Sequence, residues 1–175
     1  GSGSEADVVR AVETACRDIG FFLVTGHAVP QSVTKALYDR ARSFFDESQE
    51  WKVREGQGRS VIGGVSFSPI AEEALAATLG NKTPGDMKES LNYGPLLAGG
   101  PWPDRPEGLE AAFADYFREM EVLARRLRRI FCLAIGLSED HFEPAFENHL
   151  SALRVINYPA QDRPPEPGQL RAGAH

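Results

Sequence analysis

The sequence predicts an α+β chain in which helices dominate and the strands are few and short. Three observations point there. An apolar stripe at helical spacing runs without a break from Leu109 to Ala134. Three strand-like runs, 21–25, 86–93 and 152–158, are each bounded by glycine or proline. The glycine- and proline-rich stretches between them are loops and not linkers, with no internal repeat or domain boundary. Helix is read from a 3.6-residue apolar period, strand from a short run closed by turn residues. The 175 residues therefore read as a single domain, long enough to bury a core.

In chain order, Ser4 ahead of Glu5, Ala6 and Asp7 predicts a capped helix start with acidic residues in the first turn. Val8, Val12, Ala15, Cys16 and Ile19 follow at helical spacing, and Gly20 ends the helix. Phe21-Phe22-Leu23-Val24-Thr25 reads as a short buried strand from its aromatic and β-branched content. Pro30 opens a second helix whose inner face carries Val33, Ala36, Leu37, Ala41, Phe44 and Phe45. Residues 55–69, with Gly56, Gly58, Gly63 and Gly64, read as a long loop. Ser68-Pro69 then starts a short helix to about Leu79, and Asp86–Tyr93 reads as a strand.

A second loop runs through Trp102 to Pro106, and the longest helix spans 107–135 with Gly136 as its stop. At ~1.5 Å per residue it extends roughly 45 Å. Ser138 is expected to cap a further helix through about His149, before the strand 152–158 and a connection marked by Pro159, Pro164, Pro165 and Pro167. Three short strands make little sheet, so these helices need something larger to pack against.

Composition narrows the function. Hydrophobic residues are 42% and charged residues 25%, ordinary for a globular chain. A net charge of −6 and a pI near 5.3 disfavour nucleic acid and anionic membranes as partners. The basic run Arg125-Arg126-Leu127-Arg128-Arg129 falls within the long helix, where a solvated face accounts for it. The two cysteines, Cys16 and Cys132, lie at or beside apolar helix stripes and form no CxxC pair, so a thiolate zinc site is not expected. Sparse cysteines suit a reducing, cytoplasmic setting. No apolar run approaches the ~20 residues that span a bilayer. The polar start Gly1-Ser2-Gly3-Ser4 lacks a signal-sequence pattern.

Several segments, in order, carry a resemblance. They are Ala15-Cys16-Arg17-Asp18-Ile19-Gly20-Phe21-Phe22-Leu23-Val24-Thr25-Gly26-His27-Ala28-Val29-Pro30, Asp86-Met87-Lys88-Glu89-Ser90, Arg154-Val155-Ile156-Asn157-Tyr158-Pro159 and Gly173-Ala174-His175. Together they resemble the front half of the isopenicillin N synthase-like iron(II) and 2-oxoglutarate-dependent oxygenases, and the match covers essentially the whole chain. The resemblance implies a helical N-terminal region (1–150) packing on a double-stranded β-helix, or jelly-roll, core. Residues 151–175 would supply its first strands and most of the core would be absent from this chain. Expressed alone, 1–175 is then expected to leave a large apolar stripe exposed.

It also implies that His175 is the first of three iron ligands, a His-x-Asp pair and a distant histidine. Side chains two apart on a strand share a face and so reach one metal. Two imidazoles and a carboxylate leave positions open for 2-oxoglutarate and dioxygen. The expected reaction is oxidation of a C–H bond of a small molecule through a ferryl species, with succinate and carbon dioxide as coproducts. In the strand before His175, Arg154, Ile156 and Tyr158 share one face, and Leu153, Val155 and Asn157 the other. If the first set faces the barrel interior, Tyr158 and Arg154 contact 2-oxoglutarate or a substrate carboxylate, which arginine's planar fork suits.

Phe67, Ser90, Asn92 and Trp102 are candidate pocket residues by the same resemblance. His27 is expected to be structural, His141 and His149 solvated, and Lys88-Glu89 an exposed pair worth little. Two alternatives stay open. One is an oxidative cyclase of the same family that does not use 2-oxoglutarate; the other is a non-catalytic truncated fragment or interaction domain.

Overall fold

The computed structural model describes residues 3–56, 61–80, 82–161 and 164–173. In chain order its elements are α1 (Glu5–Asp18), α2 (Gln31–Phe45), α3 (Gln49–Gly56), β1 (Val61–Ile62), β2 (Val65–Ser68), β3 (Glu89–Tyr93), β4 (Ala98–Gly99), α4 (Leu109–Ala134) and β5 (Leu153–Asn157). Short 3-10 turns stand at Leu75–Leu79 and Glu143–Phe146. The chain divides into two compact units, residues 1–34 with 114–149, and 35–113 with 150–175. The boundaries fall within α2 and α4, so each helix gives residues to both.

In the first unit α1 begins as the sequence predicts. The Ser4 side chain accepts from the Asp7 backbone N–H at 3.3 Å, while the Asp7 carboxylate accepts from the Ser4 N–H at 2.9 Å. The Ser4 hydroxyl, which also donates to the Asp7 carboxylate at 2.9 Å, and after it the Ser4 N–H hold that carboxyl below its ordinary value. The strand expected at 21–25 is absent: the segment is irregular, with Phe21 and Leu23 largely exposed. Phe22 turns its ring edge-on to Phe131 at 6.0 Å. Strand propensity is a fit to a paired, half-buried sheet, and no described strand pairs here.

The helix expected over 138–149 also shrinks, to the 3-10 turn Glu143–Phe146. Backbone bonds there link residues three apart (His141 to Ser138, Glu143 to Asp140, Ala145 to Phe142), and Pro144 has no N–H to extend an α-helix.

The second unit holds the sheets. β1 pairs antiparallel with β4; β2, β3 and β5 form an antiparallel sheet in that order. Its register sets Ser66 opposite Asn92 and Ser68 opposite Ser90, and on the other side Asn92 opposite Arg154 and Ser90 opposite Ile156. The loop expected over 55–69 thus contains two strands. Gly64, between them, lets the chain come close to the end of β4, because a Cβ there would lie 2.1 Å from the Gly100 carbonyl oxygen. The helix expected from Ser68 to Leu79 is only the 3-10 turn, closed by Gly80 at φ 78°.

Leu37, Ala41, Phe44, Phe45, Trp51, Val65, Ala76, Leu91, Leu109, Ala112 and Phe113 are the buried apolar residues described in this unit's core. Phe44 is edge-on to Phe45, Trp51 and Phe67. A second aromatic set joins Tyr93, Trp102 and Phe113. Such edge-on pairs add to what area burial alone provides.

Candidate functional site

Alternation along β2, β3 and β5 sorts the side chains by face. Leu91, Phe67, Tyr93, Val155 and Glu89 share one, packed on α2, α3 and the aromatic sets. Ser66, Ser68, Ser90, Asn92, Arg154 and Ile156 share the other, and Tyr158 continues it just past β5. The candidate pocket residues therefore separate. Ser90 and Asn92 stand beside Arg154, whereas Phe67 is on the helix side against Phe44 at 5.5 Å. Trp102 lies with Tyr93 and Phe113 and donates its indole N–H to the Gly63 carbonyl at 3.1 Å.

Arg154 anchors the polar face. Its Nε donates to Asn92 Oδ1 at 2.6 Å and its Nη1 to Glu73 Oε2 at 3.1 Å, with the side chain 42% exposed. The same Glu73 oxygen accepts from Lys88 Nζ at 2.8 Å, and Lys88 is buried. The Lys88 ammonium, and then the Arg154 guanidinium, hold the Glu73 carboxyl below its ordinary value against the opposing effect of burial. One carboxylate thus serves two cations. Ile156 and Tyr158 are partly exposed on the same side.

The Lys88-Glu89 pair expected at the surface is a correction. Both residues are buried, and neighbours in sequence point to opposite faces, so each finds a different partner. Glu89 accepts from Lys52 Nζ at 2.8 and 3.0 Å, Gln49 Nε2 at 2.7 Å and Asn157 Nδ2 at 2.9 Å. Lys52 also donates to the Phe45 carbonyl at 2.9 Å and sits over the Phe45 and Phe67 rings. Through Asn157 this buried cluster ties α3 and β3 to β5, immediately before Tyr158.

Asp86 is almost fully buried. Its two carboxylate oxygens accept from the backbone N–H groups of Leu75 (3.0 Å) and Gly173 (3.1 Å). Leu170 accepts from the Met87 N–H at 2.8 Å, and Gln169 donates to the Gly85 carbonyl at 3.0 Å. Gly173 has no room for a Cβ, which would sit 2.7 Å from the Ala76 nitrogen. Residues 169–173 are therefore held against the segment just ahead of β3. His175 itself lies outside the described residues. Among the described residues no three His, Cys, Asp or Glu side chains gather to hold a metal ion.

The remaining histidines are less uniform than expected. His27 is exposed, and its Nδ1 accepts from the Val29 N–H at 3.1 Å, a local turn contact. His149 is not solvated: it is half-buried, stacks on Phe117 at 6.5 Å and meets Glu121 at 3.0 Å through Nε2. His141 is exposed beside Phe142. Glu73 and Lys52 escaped sequence reasoning, since neither sits in a motif and their partners are 15 to 81 residues away.

Residues 1–111 match the family described as non-haem dioxygenase in morphine synthesis N-terminal. The chain belongs to that family. Among relatives of this dioxygenase N-terminal family, the 2-oxoglutarate-Fe(II) type oxidoreductase hxnY of Emericella nidulans is 26% identical. That alignment covers 98% of this chain and 53% of the relative. Homoarginine-6-hydroxylase 2-ODD-C23 of Glycine max is 29% identical over 87% of this chain and 48% of its own. The solved structure of JOX2 in complex with 2OG, Fe and JA superposes with a TM-score of 0.67 at 25% identity, over 87% of this chain and 45% of that one. A full-length Neurospora crassa protein solved in complex with alpha-KG and thymine gives a TM-score of 0.70 at 20% identity, over 99% and 58%, which shows a shared fold. The chain spans about half the length of the curated relatives it matches.

Proposed function

We propose that this dioxygenase N-terminal chain serves a non-haem iron(II), 2-oxoglutarate-dependent oxygenase that oxidises a C–H bond of a small molecule. The alignment of 98% of the chain with a 2-oxoglutarate-Fe(II) type oxidoreductase carries the reading. The polar face of β2, β3 and β5 adds a place for ligands, and a jelly-roll core is the architecture this sheet would enter. A cytoplasmic location belongs to the same reading and rests on the sparse cysteines.

In this reading His175 is one iron ligand. The buried Asp86 carboxylate steadies the backbone at Gly173, two residues before it. Bound iron and 2-oxoglutarate would supply the activation of dioxygen, with succinate and carbon dioxide as coproducts. The chain's own residues bind, orient and exclude water. The phenol of Tyr158 presents a hydrogen-bond donor toward the cosubstrate, and Arg154 presents a guanidinium to a carboxylate. Ser90 and Asn92 line the floor beside it. The Lys52–Glu89–Asn157 cluster fixes β5 so that these groups keep their positions.

The test is anaerobic titration of the whole protein with iron(II), followed by calorimetry and visible absorption, with and without 2-oxoglutarate. One iron per chain, bound more tightly with 2-oxoglutarate and lost in His175→Ala, is the expected outcome. Iron binding indifferent to both would refute the reading.

A further inference from the structure

Asp86 joins separate stretches of chain through every polar atom it has. Its backbone N–H donates to the Glu73 carbonyl at 2.7 Å, and its carbonyl accepts from the Ala71 N–H at 3.1 Å. The carboxylate divides its oxygens between two segments: Oδ2 accepts from the Leu75 N–H at 3.0 Å, and Oδ1 from the Gly173 N–H at 3.1 Å. Neither 71–74 nor 169–173 belongs to a helix or strand, so no regular ladder sets their spacing. The two stretches also meet directly. A Cβ on Gly173 would lie 2.7 Å from the Ala76 nitrogen and 3.0 Å from the Ala76 Cβ.

A carboxylate taken out of water is costly unless it is well hydrogen-bonded. Once bonded, it holds a backbone N–H more strongly than a neutral acceptor does. Buried at this junction, Asp86 is a two-way clamp with one oxygen on each segment. Gly173 stands two residues before His175, and two residues of chain reach at most ~7 Å. The clamp therefore confines where position 175 can stand relative to residues 71–76. That second stretch includes Glu73, whose carboxylate accepts from Lys88 and Arg154.

From these contacts we infer that Asp86 is a positioning residue for iron. By holding Gly173 between its carboxylate and Ala76, it sets the place of the His175 ligand and so the affinity for the metal. The inference rests on the oxygenase reading above, in which His175 is an iron ligand. Asp86 acts through the backbone and not as a ligand itself, since each of its carboxylate oxygens is engaged by a backbone N–H.

The test is anaerobic iron(II) titration of the whole protein without 2-oxoglutarate, beside urea unfolding of the iron-free form. Asp86→Asn turns one acceptor into an amide donor that faces a backbone donor, and Gly173→Ala sets a methyl against the Ala76 backbone. Each should weaken iron binding about tenfold or more, the scale seen when groups that orient a metal ligand are lost. The double variant should lose less than the two single losses combined, because both act on one contact. Phe44→Leu, in the core of the same unit, is the comparison: it should lower the urea midpoint and leave iron affinity unchanged.

Parent-like iron affinity in Asp86→Asn and Gly173→Ala, with only the urea midpoint lowered, would overturn the inference, since Asp86 would then serve the fold alone. An equal loss of iron affinity in Phe44→Leu would overturn it too. If Asp86→Asn does not fold, Gly173→Ala decides on its own. A parent protein that binds no iron, or binds it as well after His175→Ala, would bring down the oxygenase reading and the inference with it. Iron lost in His175→Ala but kept in the other two variants removes the inference alone.

Discussion

The two faces of the β2–β3–β5 sheet treat charge in opposite ways. On the helix side, Glu89 and Lys52 are sealed from water, and the carboxylate accepts from three different side chains. On the other side, Arg154 is 42% exposed and, among the described residues, donates to Asn92 and Glu73. Both are ion pairs to a glutamate, yet they do different work. The sealed pair joins helix, β3 and β5 into one structure, with little capacity left for a ligand. The open pair contributes little to holding the fold. A sealed charge is a strut; an exposed one is a hand.

The comparison breaks most visibly in stability. Glu89→Ala strands the Lys52 ammonium in the core and should cost about 3–5 kcal/mol, seen as a large fall in the urea midpoint. Pairing it with Lys52→Met, which removes the orphaned charge, should recover much of that loss. Arg154→Met, on the open face, should shift stability by less than about 1 kcal/mol. Comparable losses for Glu89→Ala and Arg154→Met would erase the distinction.

A smaller effect sharpens it. The Glu73 carboxyl is held below its ordinary value of 4.5 by Lys88 first and Arg154 after it. A depressed carboxyl contributes stability that is present above its unfolded-state value and is lost as pH falls through the folded one. Stability should therefore decline as pH drops below about 4.5, and Glu73→Gln should flatten that limb by about 0.5 kcal/mol or less, since the group is partly solvated. A denaturation series across acid pH checks it; an unchanged limb in Glu73→Gln would remove Glu73 from the charge balance.

Sequence reasoning saw what is local. The Ser4 cap, the apolar stripe of α4 and the strands at β3 and β5 follow from residues close together in the chain. It also placed Arg154, Ile156 and Tyr158 on one face, because strand alternation needs no partner to be read. It failed where tertiary pairing decides. Phe21–Thr25 has strand composition but no described neighbour to pair with, while Val65–Ser68 has a glycine-rich lead-in and pairs with β3. Lys88 and Glu89 looked like a surface pair because Glu73 and Lys52 lie 15 and 37 residues away from them. The candidate site was legible to the same extent. Alternation puts Ser90, Asn92, Arg154 and Tyr158 on one face, Phe67 lies on the helix side and Trp102 beside Tyr93 and Phe113, and Glu73, on a segment without regular pattern, gave no signal.

The most direct test of the ligand-facing role of the open face is the affinity for 2-oxoglutarate of Tyr158→Phe in the whole, iron-loaded protein. Tyr158 is 42% exposed, so loss of its hydroxyl should leave the melting temperature unchanged. Removing one hydrogen bond to a charged ligand should weaken 2-oxoglutarate binding by about tenfold. Unchanged affinity in a protein that still binds 2-oxoglutarate would contradict the account, because the exposed side of β5 would then not face the cosubstrate.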